Sequence, residues 1–238
     1  MKKLIIAAVA ALSVGLGFAG SDEDEAKVGY SPLGIGFVTP AQYPSARSNI
    51  YGLRLSLPMS INKDVCGLDL GVVGLTAGGI YGLQVTPFNW SDGGAYGMQI
   101  AGLANVIDNN AIAMQVAPFN MVRGDAAVAQ IGVFNYAISY IGLQMGVLNW
   151  NCTQLIGSQI GAINVNAEEM TGFFCGALNY CDGVKGFQLG VINVADRANG
   201  LQIGAINAVN EMSGLQIGFI NMICEGALPL MVIANASF

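Results

Sequence analysis

From residue 50 onward the chain copies itself, and that repetition limits its fold more than any other feature. The clearest copies are GLQMGVLN from Gly142, GSQIGAIN from Gly157, GFQLGVIN from Gly186, GLQIGAIN from Gly200 and GLQIGFIN from Gly214. Earlier and weaker copies are GLRLSLP from Gly52, GLDLGVVG from Gly67, GLQVTPFN from Gly82, GMQIAGLAN from Gly97, AMQVAPFN from Ala113 and VAQIGVFN from Val128. GFFCGALN from Gly172 completes twelve units spaced 14 to 16 residues apart. A unit this short cannot bury a core alone, so the copies must fold against one another as one repeat-built domain. That domain is expected to occupy residues 31–238.

With the leading Gly numbered 0, positions 1, 3 and 5 are mainly Leu/Phe/Met, Ile/Leu/Val and Val/Ala, and position 2 is Gln in nine of the twelve units. Alternation with a period of two predicts a strand. Position 4 accepts Ser56, Thr86, Ala101 and Ala117, so it requires a small side chain without requiring positive φ. Turn-forming clusters follow the Asn at position 7, as in Ser91-Asp92-Gly93-Gly94 and Cys181-Asp182-Gly183. Beyond residue 70 almost every charge lies in these connections, among them Asp92, Asp108, Asp125, Glu168, Asp182 and Glu211. The repeat-defining residues form two columns, both expected to be structural. One is Gln84, Gln99, Gln115, Gln130, Gln144, Gln159, Gln188, Gln202 and Gln216; the other is Asn89, Asn120, Asn135, Asn149, Asn164, Asn179, Asn193, Asn207 and Asn221.

These units resemble a family of bacterial surface-repeat proteins built from GLQ-apolar-G-x-x-N motifs. The apolar opening LGIGFVTP (Leu33 to Pro40), the GLRLSLP unit and the closing LPLMVIANASF (Leu228 to Phe238) are similar to that family's two ends. The resemblance implies a secreted, envelope-associated protein and brings no activity with it.

The N-terminus agrees with export. Lys2 and Lys3 precede the uncharged apolar run Leu4 to Phe18, and Gly17 and Ala19 stand at the −3 and −1 positions of a cleavage site. Residues 1–19 therefore read as a signal peptide, and residues 20–30, which include SDEDE, as an acidic unstructured leader.

Two all-β architectures fit. In the leading reading the units form an antiparallel meander, closing into an outer-membrane β-barrel of about 14 strands with a structural or pore-like role. Positions 1, 3 and 5 would face lipid, Gln would stand opposite Gln in neighbouring antiparallel strands with the Gly–Gln–Gly face lining the interior, and Trp90, Tyr136, Trp150 and Tyr180 would sit at the membrane interface. The terminal Phe238 would be the assembly signal read by the outer-membrane machinery. The alternative is a parallel β-solenoid with one unit per coil, acting as a secreted or surface-attached, adhesin-like interaction module. There Gln and Asn would stack into ladders, Pro87 and Pro118 would suit a corner, and Leu and Ile would form the core. A coil needs at least two corners, and only one turn per unit is visible.

Chemistry is sparse. The chain is 53% apolar and only 10% charged, and it has no His, the commonest general base and metal ligand. Its pI of about 4.4 excludes the basic footprint of a nucleic-acid binder. No cofactor, metal or catalytic set is expected, and the reading is non-enzymatic. The remaining candidates are five Cys without metal-ligand spacing, the carboxylates Glu168 and Glu169, the pair Asp196 and Arg197, and the adhesion-like tripeptide Arg123-Gly124-Asp125. All read more simply as packing or loop residues. Arg54 and Asp69 replace Gln in the first two units and can pair across neighbouring strands, a modest effect if exposed. Membrane lipid and an unidentified surface ligand are the expected partners.

Overall fold

In the computed structural model, which describes residues 29–38 and 41–237, the units stack as a right-through parallel pile of coils. The strands are β1 (Tyr30–Val38), β2 (Ala41–Tyr43), β3 (Asn49–Asn62), β4 (Val65–Thr76), β5 (Ile80–Ser91) and β6 (Ala95–Ile107). They continue as β7 (Ala111–Val116), β8 (Phe119–Ile131), β9 (Phe134–Asn151), β10 (Leu155–Ile203), β11 (Ile206–Ile223) and β12 (Leu230–Ser237). The expected leader extends to Tyr30, but β1 begins there. The signal peptide and residues 20–28 of the leader lie outside the described residues, as does Phe238.

The antiparallel barrel is overturned. Each unit is one coil of a β-solenoid of about twelve turns, and neighbouring units pair parallel and in register. Gly157 pairs with Gly142, Gln159 with Gln144 and Asn164 with Asn149. Like positions stack because every unit makes the same side-chain demands on its neighbour. Among the described residues, antiparallel pairing occurs only at the two ends, β1 with β2 and β11 with β12. The expected closing strand near Leu230 therefore folds back over the last coil and covers its exposed edge.

The second corner lies inside what reads as one strand. Pairing runs from position −2 to 4, breaks at position 5, and resumes from 6 to 9. Positions 5 and 6 both point outward, so the inward face changes from even to odd positions at this corner. Pro87 and Pro118 stand at position 5, where no ladder donor is required. The first corner is the turn after position 9, where carbonyls and amides of adjacent coils bond directly, as in Gly93 N to Gly78 O at 2.9 Å.

Inward positions are −2, 2, 4, 7 and 9. The Gln and Asn columns fill the middle of the coil. Positions −2 and 9, next to the turn, carry the apolar core, including Ile80, Ile107, Val122, Tyr140, Leu155 and Met170, and position 9 also holds the buried polar residues Thr76, Ser91, Asn151 and Asn166. Its pieces compensate in size: fully buried Tyr140 lies three residues from fully buried Ala137 and donates its hydroxyl to Leu143 O at 2.9 Å. The aliphatics at 1, 3, 5 and 6 are not the core. They face outward, as the barrel reading placed positions 1, 3 and 5 and contrary to what a solenoid was expected to do.

Position 0 is the one place where glycine's freedom decides the backbone. Ten of these residues have φ between +125° and +149°, a region essentially closed to other residues. Val128 occupies the same position at φ 97°, with 52% of its surface exposed. Val128→Gly is expected to stabilise the protein by about 1 kcal/mol, because the relieved strain exceeds the entropy cost of glycine. A rise of a few degrees in the melting temperature checks it.

Candidate functional site

The distinctive chemistry of this molecule is a pair of amide columns sealed inside it and an apolar surface outside it. The Gln column begins with a buried ion pair. Arg54 Nε donates to Asp69 Oδ1 at 2.8 Å and Nη2 to Oδ2 at 2.6 Å, and both side chains are fully buried. The expected pairing across neighbouring strands is present, and because it is buried it is not the modest contact of an exposed pair. Arg54 is further satisfied by Leu75 O and Thr76 Oγ1.

Asp69 also accepts from Gln84 Nε2 at 2.8 Å. A carboxylate offers only acceptors, so Gln84 must turn its nitrogen toward it and its oxygen toward the next coil. Each following Gln inherits that orientation. Gln99 donates to Gln84, Gln115 to Gln99, Gln130 to Gln115, Gln144 to Gln130 and Gln159 to Gln144, at 2.6–3.0 Å. Phe174, fully buried at position 2, then interrupts the column. Gln159 Oε1 and Gln188 Nε2, on either side of it, have no partner. The column restarts with Gln202 donating to Gln188 and Gln216 to Gln202.

The Asn column runs unbroken, and its polarity is opposite. Asn89 Nδ2 donates forward to Asn105 Oδ1, Asn105 to Asn120 and Asn120 to Asn135, and the chain continues to Asn221 at 2.8–2.9 Å. The second Nδ2 proton goes to the carbonyl at position 3 of the next coil, as from Asn149 to Ile160 O. Two parallel rows of amide dipoles therefore point opposite ways and offset each other. Asn105 belongs to this column but escapes the motif, because one extra residue places it eight residues after Gly97. The register shift between β5 and β6 absorbs that residue.

These columns are structural in what they can do: their amides bond one another from coil to coil, and the side chains are closed to solvent. The other sequence candidates do not converge. Arg123 is held by Asp108 and lies 5.6 Å over the Trp90 ring, and Asp125 N donates to Asn110 Oδ1, so the tripeptide is tied to the coil beneath it. Glu169 pairs with Lys185 at 3.3 Å, and Arg197 pairs with Asp182 at 3.7 Å rather than with Asp196, all on the exposed turn edge. No group of three metal-ligating side chains is present among the described residues.

All five cysteines are free. Cys181 is fully buried and donates to Glu168 O and Gly183 O; burial pushes its thiol pKa up to about 11, against the opposing hydrogen bond from Asn166. Cys224 is exposed. With iodoacetamide at pH 8, Cys224 is expected to be alkylated first and Cys181 to stay unmodified until the protein is unfolded, as peptide mass mapping would read.

Outside, the coils present an apolar circumference. Leu103, Phe119, Val133, Val147, Val191 and Phe219 are all more than half exposed at positions 5 and 6. Across the twelve units Ser158 is the only polar side chain at positions 1, 3, 5 and 6. No family model matches this chain, and neither a curated protein nor a solved structure matches it.

Proposed function

We propose that this chain is an exported, non-enzymatic β-solenoid module that acts at a surface through its apolar exterior. The observation that carries the reading is that outward aliphatics recur on every coil while the polar residues of the same motif are sealed inside. Water alone gives no reason for this arrangement. A contiguous apolar area of this extent marks an interaction site on a soluble protein. The solenoid supplies what such a module needs, a rigid backbone that repeats one contact many times along its axis. The turn edge, which carries the charges, keeps the opposite side hydrated.

The test has two parts. Full-length chain expressed in a bacterial host should be recovered outside the cytoplasm, with its N-terminus cut near Ala19. The folded protein should also be retained on a hydrophobic matrix or associate with itself or with a surface. Recovery as a cytoplasmic, monodisperse monomer that ignores hydrophobic supports would overturn the reading.

A further inference from the structure

We infer that the partner of this exterior is a lipid layer, and that the solenoid lies along it with the corner at positions 4 to 6 sunk among the acyl chains. The inference rests on the proposed surface role and names what covers the face.

The first argument is shape. The apolar surface does not stop at one sheet. It runs over positions 1 and 3 on one side, round the exposed corner at 5 and 6, and on to position 8 on the other side, where Trp90, Met121, Tyr136, Trp150 and Tyr180 stand. A rigid partner sheet would cover one of these sides. A fluid hydrocarbon phase covers both sides and the corner between them at once.

The second argument is polarity. Backbone amides and carbonyls are spent between coils, and the Gln and Asn side chains are buried, so the lipid-facing side offers hydrocarbon few unpaired polar groups. The aromatics at position 8 lie between the apolar corner and the charged turn edge, the depth at which Trp and Tyr rings sit in an interface. Trp90 donates its ring N–H to Asp92 on that edge at 2.8 Å, giving the ring one wet end.

The third argument is a groove. Over the last three coils lies an open apolar hollow of about 440 Å³. Gly190, Gly204 and Gly218 line it together with Leu189, Ile203 and Ile217 of the same coils. Phe219 and Ile233 of β12, at φ 74°, also belong to its lining. A hollow lined in this way suits hydrocarbon.

The turn edge is mainly acidic, so attraction to anionic headgroups contributes nothing. Binding must therefore be apolar, and this gives the experiment its signature. Full-length protein is mixed with vesicles of phosphatidylcholine alone and sedimented in 0.1 M and 1 M salt, with Trp emission recorded. The expected result is co-sedimentation unaffected by salt, with a blue shift from Trp150, which is 42% exposed. The triple variant Val133→Lys, Val147→Lys, Val191→Lys places charge on the corner without touching an inward position. It should keep its strand circular dichroism and lose at least tenfold in vesicle affinity. Glu225→Lys, on the turn edge, should bind as the parent does. If the parent ignores vesicles but self-associates, and the triple variant blocks that association, the lipid inference fails and the surface role stands with a second copy as partner. If parent and triple variant are alike in both assays, both readings fail. Should vesicle binding appear only with anionic lipid and vanish in high salt, the apolar face is not the contact and the inference is overturned.

Discussion

Arg54→Gln is expected to destabilise the first coils by about 3–5 kcal/mol, the cost of leaving one member of a buried ion pair uncompensated. Asp69, fully buried, would lose both hydrogen bonds from the guanidinium and keep the one from Gln84 Nε2. Asp69→Gln alone should be comparably harmful, because it strands a buried guanidinium. The double variant Arg54→Gln, Asp69→Gln is expected to recover to within about 1 kcal/mol of the parent, since both positions then become ordinary members of the column. Urea unfolding of the four proteins measures the cycle; additive single losses would show that the ion pair is not the source. The pair lies in the first two units, and stacked repeats are stabilised chiefly by their nearest neighbours. The loss should therefore appear as faster hydrogen exchange in β3 and β4, with β9 to β11 still protected.

The same pair explains why the column needs a start. A run of amides has two equivalent directions, and a mixed run leaves unpaired groups wherever the directions meet. Asp69 can only accept, so it selects one direction for the coils that follow. At Phe174 the bonded link is broken although the direction is the same on both sides, and the orphaned oxygen of Gln159 and nitrogen of Gln188 mark the site. Each such group costs about 1–3 kcal/mol. The burial of a whole Phe side chain, about 2–3 kcal/mol, offsets part of this.

The period, the strand character, the placement of charge in turns and the stacking of Gln and Asn in columns are all legible in the repeat. Strand direction is not. Period-2 alternation says that Leu143 and Met145 share a face and Gln144 takes the other, and it is equally true of a parallel and an antiparallel neighbour. Corner count was the misleading clue. The turn at Cys181-Asp182-Gly183 is written in Gly and Asp, whereas the other corner needs only a small residue at position 4 and two consecutive outward residues. In GLQIGFIN that corner looks like more strand. Pro87 and Pro118, in the corner of their coils, were the accurate signal. The rule that aliphatic means interior also failed, because here amide columns close the centre of the coil and the Leu and Ile side chains are left for the exterior. The same misplaced trust in spacing hid Asn105.

Gly157→Ala is expected to be damaging on the same scale as the loss of Arg54, and in a different place. A Cβ built on Gly157 lies 2.0 Å from the carbonyl oxygen of Gly142, and the residue sits at φ +137°. That oxygen is backbone, held by in-register pairing on both sides, so no side chain can swing away to make room. The conformational cost of an L-residue there is about 1–3 kcal/mol, and the clash adds to it, for a total of about 3 kcal/mol or more. Glycines recur at this position for the same reason: Gly172, Gly186, Gly200 and Gly214 would each bring a Cβ within 1.9–2.1 Å of the preceding coil's glycine oxygen. The defect falls in the middle of the stack, so it breaks the interface between two half-solenoids instead of fraying an end. Hydrogen exchange should then rise in the flanking stretches of β9 and β10, and the single cooperative urea transition should broaden or split. Gly161→Ala, four residues along, is the control that separates strain from crowding. Its Cβ would meet Gly146 O at 2.2 Å, but Gly161 carries no positive φ, and Ala101 and Ala117 fill the same position in other coils. Its expected loss is at least about 1 kcal/mol smaller. Equal losses from the two substitutions would show that crowding alone, and not the left-handed backbone, makes position 0 a glycine.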